Sequence, residues 1–406
     1  MKSNWVIATL LLRFAGNCFA QDDITRKPNF SRVVTNPTGK NGYEELVMAT
    51  DVIYLRPDWD ELFNNSVGDT LLALTLAERR KLLIDPDMQK CLKLVQSGLS
   101  KPVTSPHDKI DESTIFPEMS GMRRIARILA LKIYVELADG KVSTAIDTLT
   151  LGLRLGYVIQ TDTLIGGLVG ITVDSVLVKR MAQHVPQLSV RDCDQLMQLA
   201  RDWLNLADPT INILVSEKGV ALTAMQKFRN NPSNLVEALG IQEKDPNYKS
   251  AKAIAASSPQ AAAPIFDDAT IQVNQTYEQF LTELKKPAWQ RQEIPDMDNK
   301  TPAGALAAVF MPSINIASDR FTQDQVQVQL LGVHAAIRKY RWEHESLPNS
   351  LVELKLGPLG IDPFNGKPLE YKRIDETHYD LSSIGPLDRN PTDGKKGSRK
   401  PSSLPF

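Results

Sequence analysis

Met122, Ala126, Leu129, Ile133 and Leu137 recur at steps of four and three, while Arg123, Arg127, Lys132 and Glu136 occupy positions between them. An α-helix brings the first set onto one stripe and the second onto the other side, so the segment reads as a helix with one face to bury. Asp139-Gly140 breaks it. A second run follows at once, with Val142, Ala145, Ile146, Leu149, Gly152, Leu153 and Gly156. So short a connection folds the second helix back antiparallel on the first. A third helix, from Thr163 to Met181, is apolar nearly all round and carries Gly166, Gly167 and Gly170, small residues that permit close approach. Such a helix belongs at the centre of a bundle.

One residue of that central helix is out of character. Asp174 places a carboxylate among apolar neighbours, which is costly unless the group is paired. Arg123, Arg124 and Arg127 are the partners that the preceding helix offers, and an ion pair with one of them is the structural reading. A perturbed acid in a pocket is the functional one. Asp174, Arg123 and Arg127 therefore form the candidate buried polar site. The glycine cluster beside them is read as helix packing, because no strand precedes it and no Gly-Lys-Ser follows, as a phosphate loop needs.

Local signals extend the helical pattern in both directions. Thr75-Leu76-Ala77-Glu78 has the form of a capping box, Asp85-Pro86 gives a cap followed by proline at the first helical position, and Gly98 closes that helix. Ser189 opens another through Trp203, and Pro209 opens one with Ile211, Leu214, Leu222, Met225 and Phe228. Composition then shifts to Ala, Ser and Pro over 251–264 and to a polar, proline-bearing stretch over 285–302. Val273, Tyr277, Phe280, Leu281 and Leu284 make one amphipathic helix between them. The α-helical hairpin resembles a single tetratricopeptide-type unit, with Ala145 and Leu149 at the small and large apolar positions of its second helix, and no second copy recurs at a fixed period.

A chain of 406 residues exceeds what one core usually organises. The expected fold is mainly α: a multi-helix bundle or short helical array with a small C-terminal α+β unit, a long helix plus a β-hairpin. The expected layout is a signal peptide at 1–20, a helical domain at 21–240, a linker with one amphipathic helix at 241–300, the helix-and-hairpin unit at 301–388, and a flexible basic tail at 389–406.

Met1-Lys2, an apolar run from Trp5 to Leu12 and Cys18-Phe19-Ala20 before Gln21-Asp22-Asp23 have the order a signal peptidase reads. The run is far short of the roughly 20 residues a membrane-spanning helix needs, so no transmembrane span is expected after its removal. Cys91 and Cys193 then remain, either as a disulfide, which an oxidising compartment permits, or as two small buried hydrophobes. Losing Lys2 and Arg13 with the leader takes the formal charge from -1 to -3, and the basic residues between Arg389 and Lys400 carry no aromatic for base stacking; no nucleic-acid partner is expected. The five histidines include no His-Glu-x-x-His pair, and there is no Gly-x-Ser-x-Gly elbow.

The segment from Leu330 to Gly394 runs from a helix with seam Val326, Leu330, Val333, Ile337 and Tyr340, through Leu347-Pro348 and Asp362-Pro363-Phe364-Asn365-Gly366, into alternating runs at Leu369-Glu370-Tyr371 and Tyr379-Asp380-Leu381. In this order it is similar to the soluble head of type II secretion pseudopilins. It departs from that family in having more than 300 residues of other protein before the head. The resemblance implies a calcium loop after the last strand, for which Asp388, Asn390 and Asp393 supply oxygen donors; no other cofactor is expected. Across 44–385 the wider pattern, with Phe116-Pro117-Glu118-Met119, Ala138-Asp139-Gly140 and Tyr340-Arg341, resembles exported proteins of unknown function from envelope-rich bacteria.

Two functions follow as expectations. The first is a non-enzymatic, periplasmic or secreted helical scaffold that docks another envelope protein. The second is an exported hydrolase or ligand-binding protein with its site in a bundle pocket. Export itself is testable: N-terminal sequencing of envelope material should give a mature chain beginning at Gln21, and a mature protein beginning at Met1 would refute the leader.

Overall fold

The computed structural model describes residues 28–64, 73–107, 109–160, 162–311, 313–388 and 398–404. Its principal helices are α1 (Gly42–Tyr54), α2 (Leu76–Leu83), α3 (Pro86–Leu99), α4 (Glu118–Ala138), α5 (Val142–Ile159), α6 (Leu164–Ala182), α7 (Val190–Leu204), α8 (Thr210–Asn230), α9 (Tyr248–Ala255), α10 (Pro259–Leu284), α11 (Pro302–Phe310) and α12 (Ile314–His344). Two strands, β1 (Glu370–Arg373) and β2 (Tyr379–Ser382), form an antiparallel pair near the C-terminus. The fold is mainly α with one small α+β element. None of the described helices is long and apolar enough to cross a membrane. The expected leader, residues 1–20, lies outside the described residues.

The capping signals act where the sequence puts them. Thr75 accepts from the Glu78 backbone N–H and Glu78 answers to the Thr75 backbone; Ser189 and Asp192 make the same reciprocal pair at the start of α7. Asp85 caps α3 with Pro86 at its first position. In the α4–α5 hairpin, Gly140 takes φ +72°, the left-handed turn that lets the chain reverse. Met122, Leu129 and Ile133 of α4 and Ala145, Leu149 and Leu153 of α5 are buried in one core, with α6 packed on both helices.

The domain layout differs from the expected one. A single hydrophobic core gathers α1 and α3 to α7 together with α12 and the C-terminal hairpin, so residues 301–388 are not a separate head. The 31-residue α12, about 46 Å long at 1.5 Å per residue, buries Val326, Leu330, Val333 and Ile337 chiefly against α7 and α6. Its apolar stripe finds its partner more than a hundred residues upstream: Lys339 pairs with Asp194 at 2.7 Å and Trp342 Nε1 donates to the Leu188 carbonyl at 2.8 Å. Helices α8 to α11 build a second core inserted between the two halves of the first.

Residues 241–300 belong to that second core and are not a linker. Ser258 caps α10, Pro259 occupies its first position, and Ala262, Phe266, Ala269, Val273 and Tyr277 form its buried face. Alanine reads as low-complexity sequence, yet it is the best helix former and permits close packing where bulk is not needed. The expected basic tail is likewise ordered where it is described: Ser402 bridges to Ser383, Arg399 to Leu387, and Leu404 is buried.

The hairpin forms within a residue of its expected limits, with Tyr371 opposite Leu381 and Arg373 opposite Tyr379. A two-stranded pair is marginal alone in water, and here it rests on α12, where Tyr379 Oη and His334 Nδ1 are 2.8 Å apart. Asp362 secures the turn before it. Its buried carboxylate accepts from Ser383 Oγ at 2.9 Å, the Ile384 N–H at 2.8 Å and the Phe364 N–H at 2.9 Å. Cys91 and Cys193 are buried and unpaired, which settles the two readings in favour of small hydrophobes. Leu149 is fully buried at the α4–α5 contact, so Leu149→Ala should cost about 2 to 5 kcal/mol in denaturant unfolding; an unchanged midpoint would refute the face assignment.

Candidate functional site

Asp174 sits on α6 with no exposed surface, and its companion is a second aspartate, Asp324 of α12, only 5% exposed. Space for the pair comes from glycine. A Cβ on Gly156 of α5 would collide with the Asp174 carboxylate, and one on Gly170 would collide with the Gln160 side chain and the Gly156 carbonyl. Gln160, at the end of α5, donates from Nε2 to Asp174 Oδ2 at 3.1 Å. Three helices thus converge on two acids and one amide.

Two carboxylates cannot both be ionised in such a place. Burial raises the Asp174 carboxyl well above the usual range, and the neighbouring Asp324 charge and hydrogen bond raise it further. Burial also pushes Asp324 up, to about 7, against hydrogen bonds from Asp174 and Gln160 that favour its charged form. Of the two, Asp174 is raised the further and so keeps its proton to the higher pH. Oδ1 of each aspartate is buried with no hydrogen-bond partner, the setting in which two neighbouring carboxyls share one proton.

Asp324 and Gln160 lie in the floor of a cleft of about 600 Å³. Tyr157, Trp203, Trp289 and Phe321 give it aromatic walls, and Gln325, Gln329 and Arg291 add polar groups. Each is held. The Tyr157 and Trp203 rings meet edge-on at 6.1 Å, and Tyr157 Oη donates to the Ala207 carbonyl. Gln329 Nε2 donates to the Leu359 carbonyl at 2.8 Å and to the Ile361 carbonyl at 2.5 Å, closing the far wall. Arg291 is fixed by Ser318 Oγ at 3.1 Å and Asp208 Oδ2 at 3.3 Å. Gly366, at φ +67°, leaves room for the half-exposed Trp289 ring.

Arg124 and Arg127, two of the arginines expected near Asp174, are engaged elsewhere. Arg124 is bonded to Asp60 Oδ1 at 2.9 Å and Arg127 to the Phe63 carbonyl, and the groups acting on the Asp174 carboxyl are Asp324 and Gln160. The face of α4 that carries these residues meets the 60–63 segment, whereas Asp174 faces α5 and α12. The expected calcium loop is divided. Asp388 pairs with Lys400 at 3.1 Å while its N–H donates to the Ser398 carbonyl, and Asp393 and Asn390 lie outside the described residues. Among the described residues no group of three or more His, Cys, Asp or Glu side chains is arranged to hold a metal.

Sequence reasoning missed Asp324 and Gln160. A signal for Asp324 existed: Phe321, Val328, Leu331 and Ala335 mark one buried face of α12, and Asp324 falls on it. Comparison with models of known protein families, with curated proteins and with solved structures finds no match to this chain.

The pair makes stability depend on pH in a defined direction. A carboxyl whose folded-state pKa lies above the unfolded value near 3.9 stabilises the fold fully below that value and loses the contribution as pH rises through its folded pKa. Asp174→Asn keeps a donor toward Asp324 and removes one titrating acid. The parent should therefore lose stability relative to this variant between about pH 4 and 7 or above, read from urea midpoints; parallel profiles would exclude the shared proton.

Proposed function

We propose that this protein is an exported ligand-binding protein of the cell envelope, and that the cleft above Asp324 takes a neutral saccharide. The cleft carries the reading. Its aromatic walls offer flat apolar surface to the C–H face of a sugar ring, and its amides and the Asp324 carboxyl offer both donors and acceptors to hydroxyl groups, the mix by which pockets fix orientation. A site that hydrogen-bonds hydroxyls discriminates strongly, because an analogue without them leaves its buried polar groups unpaired.

Binding is favoured over glycoside hydrolysis by burial. Glycoside hydrolysis needs two carboxyl groups flanking the scissile bond, whereas only Asp324 of the pair lines the cleft and Asp174 is wholly buried behind it. Ligand binding is also favoured over the docking scaffold, since α12 buries its apolar stripe inside the core. The signal-like leader supports export. The pseudopilin-like order of the C-terminal segment supports contact with another envelope protein in addition to the ligand.

Calorimetric titration with a panel of neutral mono- and disaccharides tests the reading. At least one sugar should bind the parent, and Trp203→Ala and Asp324→Asn should each weaken it about tenfold or more, equivalent to about 1.4 kcal/mol. Absence of heat from every sugar, or full affinity in both variants, would remove the cleft as the site.

A further inference from the structure

A second cavity, of about 130 Å³, opens where the two cores meet, between α6, α8, α10 and α11. Its wall is apolar, with Phe116, Leu164, Ala221, Ala224 and Phe310, and Tyr277 of α10 lies among them. The Tyr277 side chain is wholly buried, and its hydroxyl has no hydrogen-bond partner. A buried hydroxyl left unbonded is destabilising, and the empty bond is the donor's, because a phenol proton has no other use for its direction. Burial, with the charge of Glu217 second, holds this phenol well above its usual range, so it stays a donor.

We propose that this cavity binds a small uncharged molecule with a carbonyl group on a compact hydrocarbon ring, the carbonyl oxygen accepting from Tyr277 Oη. Size and charge select the class. An apolar cavity of about 150 Å³ holds a benzene ring, so a six-membered ring is the upper limit here. Anions are excluded by the wall itself, whose charged residues, Asp111, Glu112 and Glu217, are all acidic. Those groups are also engaged already: Asp111 accepts from Ser113 and Thr114, Glu112 pairs with Lys227, and Glu217 Oε1 accepts from the Leu164 N–H at 2.8 Å. An uncharged acceptor is what the site lacks.

Cyclohexanone, its isosteric hydrocarbon methylenecyclohexane, and cyclohexylamine serve as probes, titrated against the full chain by ligand-observed NMR. Cyclohexanone should bind about fivefold tighter than the hydrocarbon, the value of one net hydrogen bond. Tyr277→Phe should erase that preference while retaining hydrocarbon binding, and should melt no lower than the parent, because the lost hydroxyl had no partner. Ala224→Leu should fill the cavity and weaken both. Equal affinity of ketone and hydrocarbon in the parent, preference for the amine, or no binding of any probe would overturn the proposal.

Discussion

A carboxylic acid pair in a dry helix junction is the constraint around which the first core is arranged. Isolated in that environment, either aspartate would be a large penalty; side by side, with Gln160 donating to Asp174, they are tolerable only if α5, α6 and α12 hold one fixed relation. That relation in turn requires Gly156 and Gly170, since side chains there would occupy the space the acids and amide fill. An apolar trio of the same volume would pack as tightly without demanding the same geometry. Specific placement of α12, and with it the cleft floor, follows from the polar choice.

The cleft inherits its rigidity from this arrangement. Asp324, Gln325 and Gln329 project from one long helix that is clamped at its far end by Lys339–Asp194 and Trp342–Leu188. Of the aromatic walls, Tyr157, Trp203 and Phe321 stand on α5, α7 and α12, and Trp289 stands on the short turn at Ala288–Gln290. Sites carried on helices keep their geometry better than sites carried on loops, and here Asp324 of the floor and three of the four aromatic walls are helical.

Local chemistry was readable in the sequence and long-range pairing was not. The α4–α5 hairpin, the caps at Thr75, Asp85 and Ser189 and the strands of the hairpin all rest on interactions within a few residues, and each appears where period and capping signals put it. Alanine contributes little hydrophobic signal while packing closely, so the first turns of α10 read as linker although its Val273–Leu284 half read as a helix. Asp174 was visible as an anomaly, but its partner lies 150 residues away on another helix. Periodicity says which face is buried and nothing about what it is buried against.

The interrupted first core has a consequence for how the chain is made. Helix α7 and the part of α12 that covers it are separated by about 145 positions, as in the Lys339–Asp194 pair, and the whole second core is synthesised in between. Contacts of such separation raise contact order and slow closure, because the intervening chain must be brought round before they form. The inserted helices, whose contacts are nearer in sequence, can collapse first. A nascent chain therefore carries an uncovered α6–α7 face until residues beyond 340 are available, and that interval is when a holdase or a protease would meet exposed apolar surface.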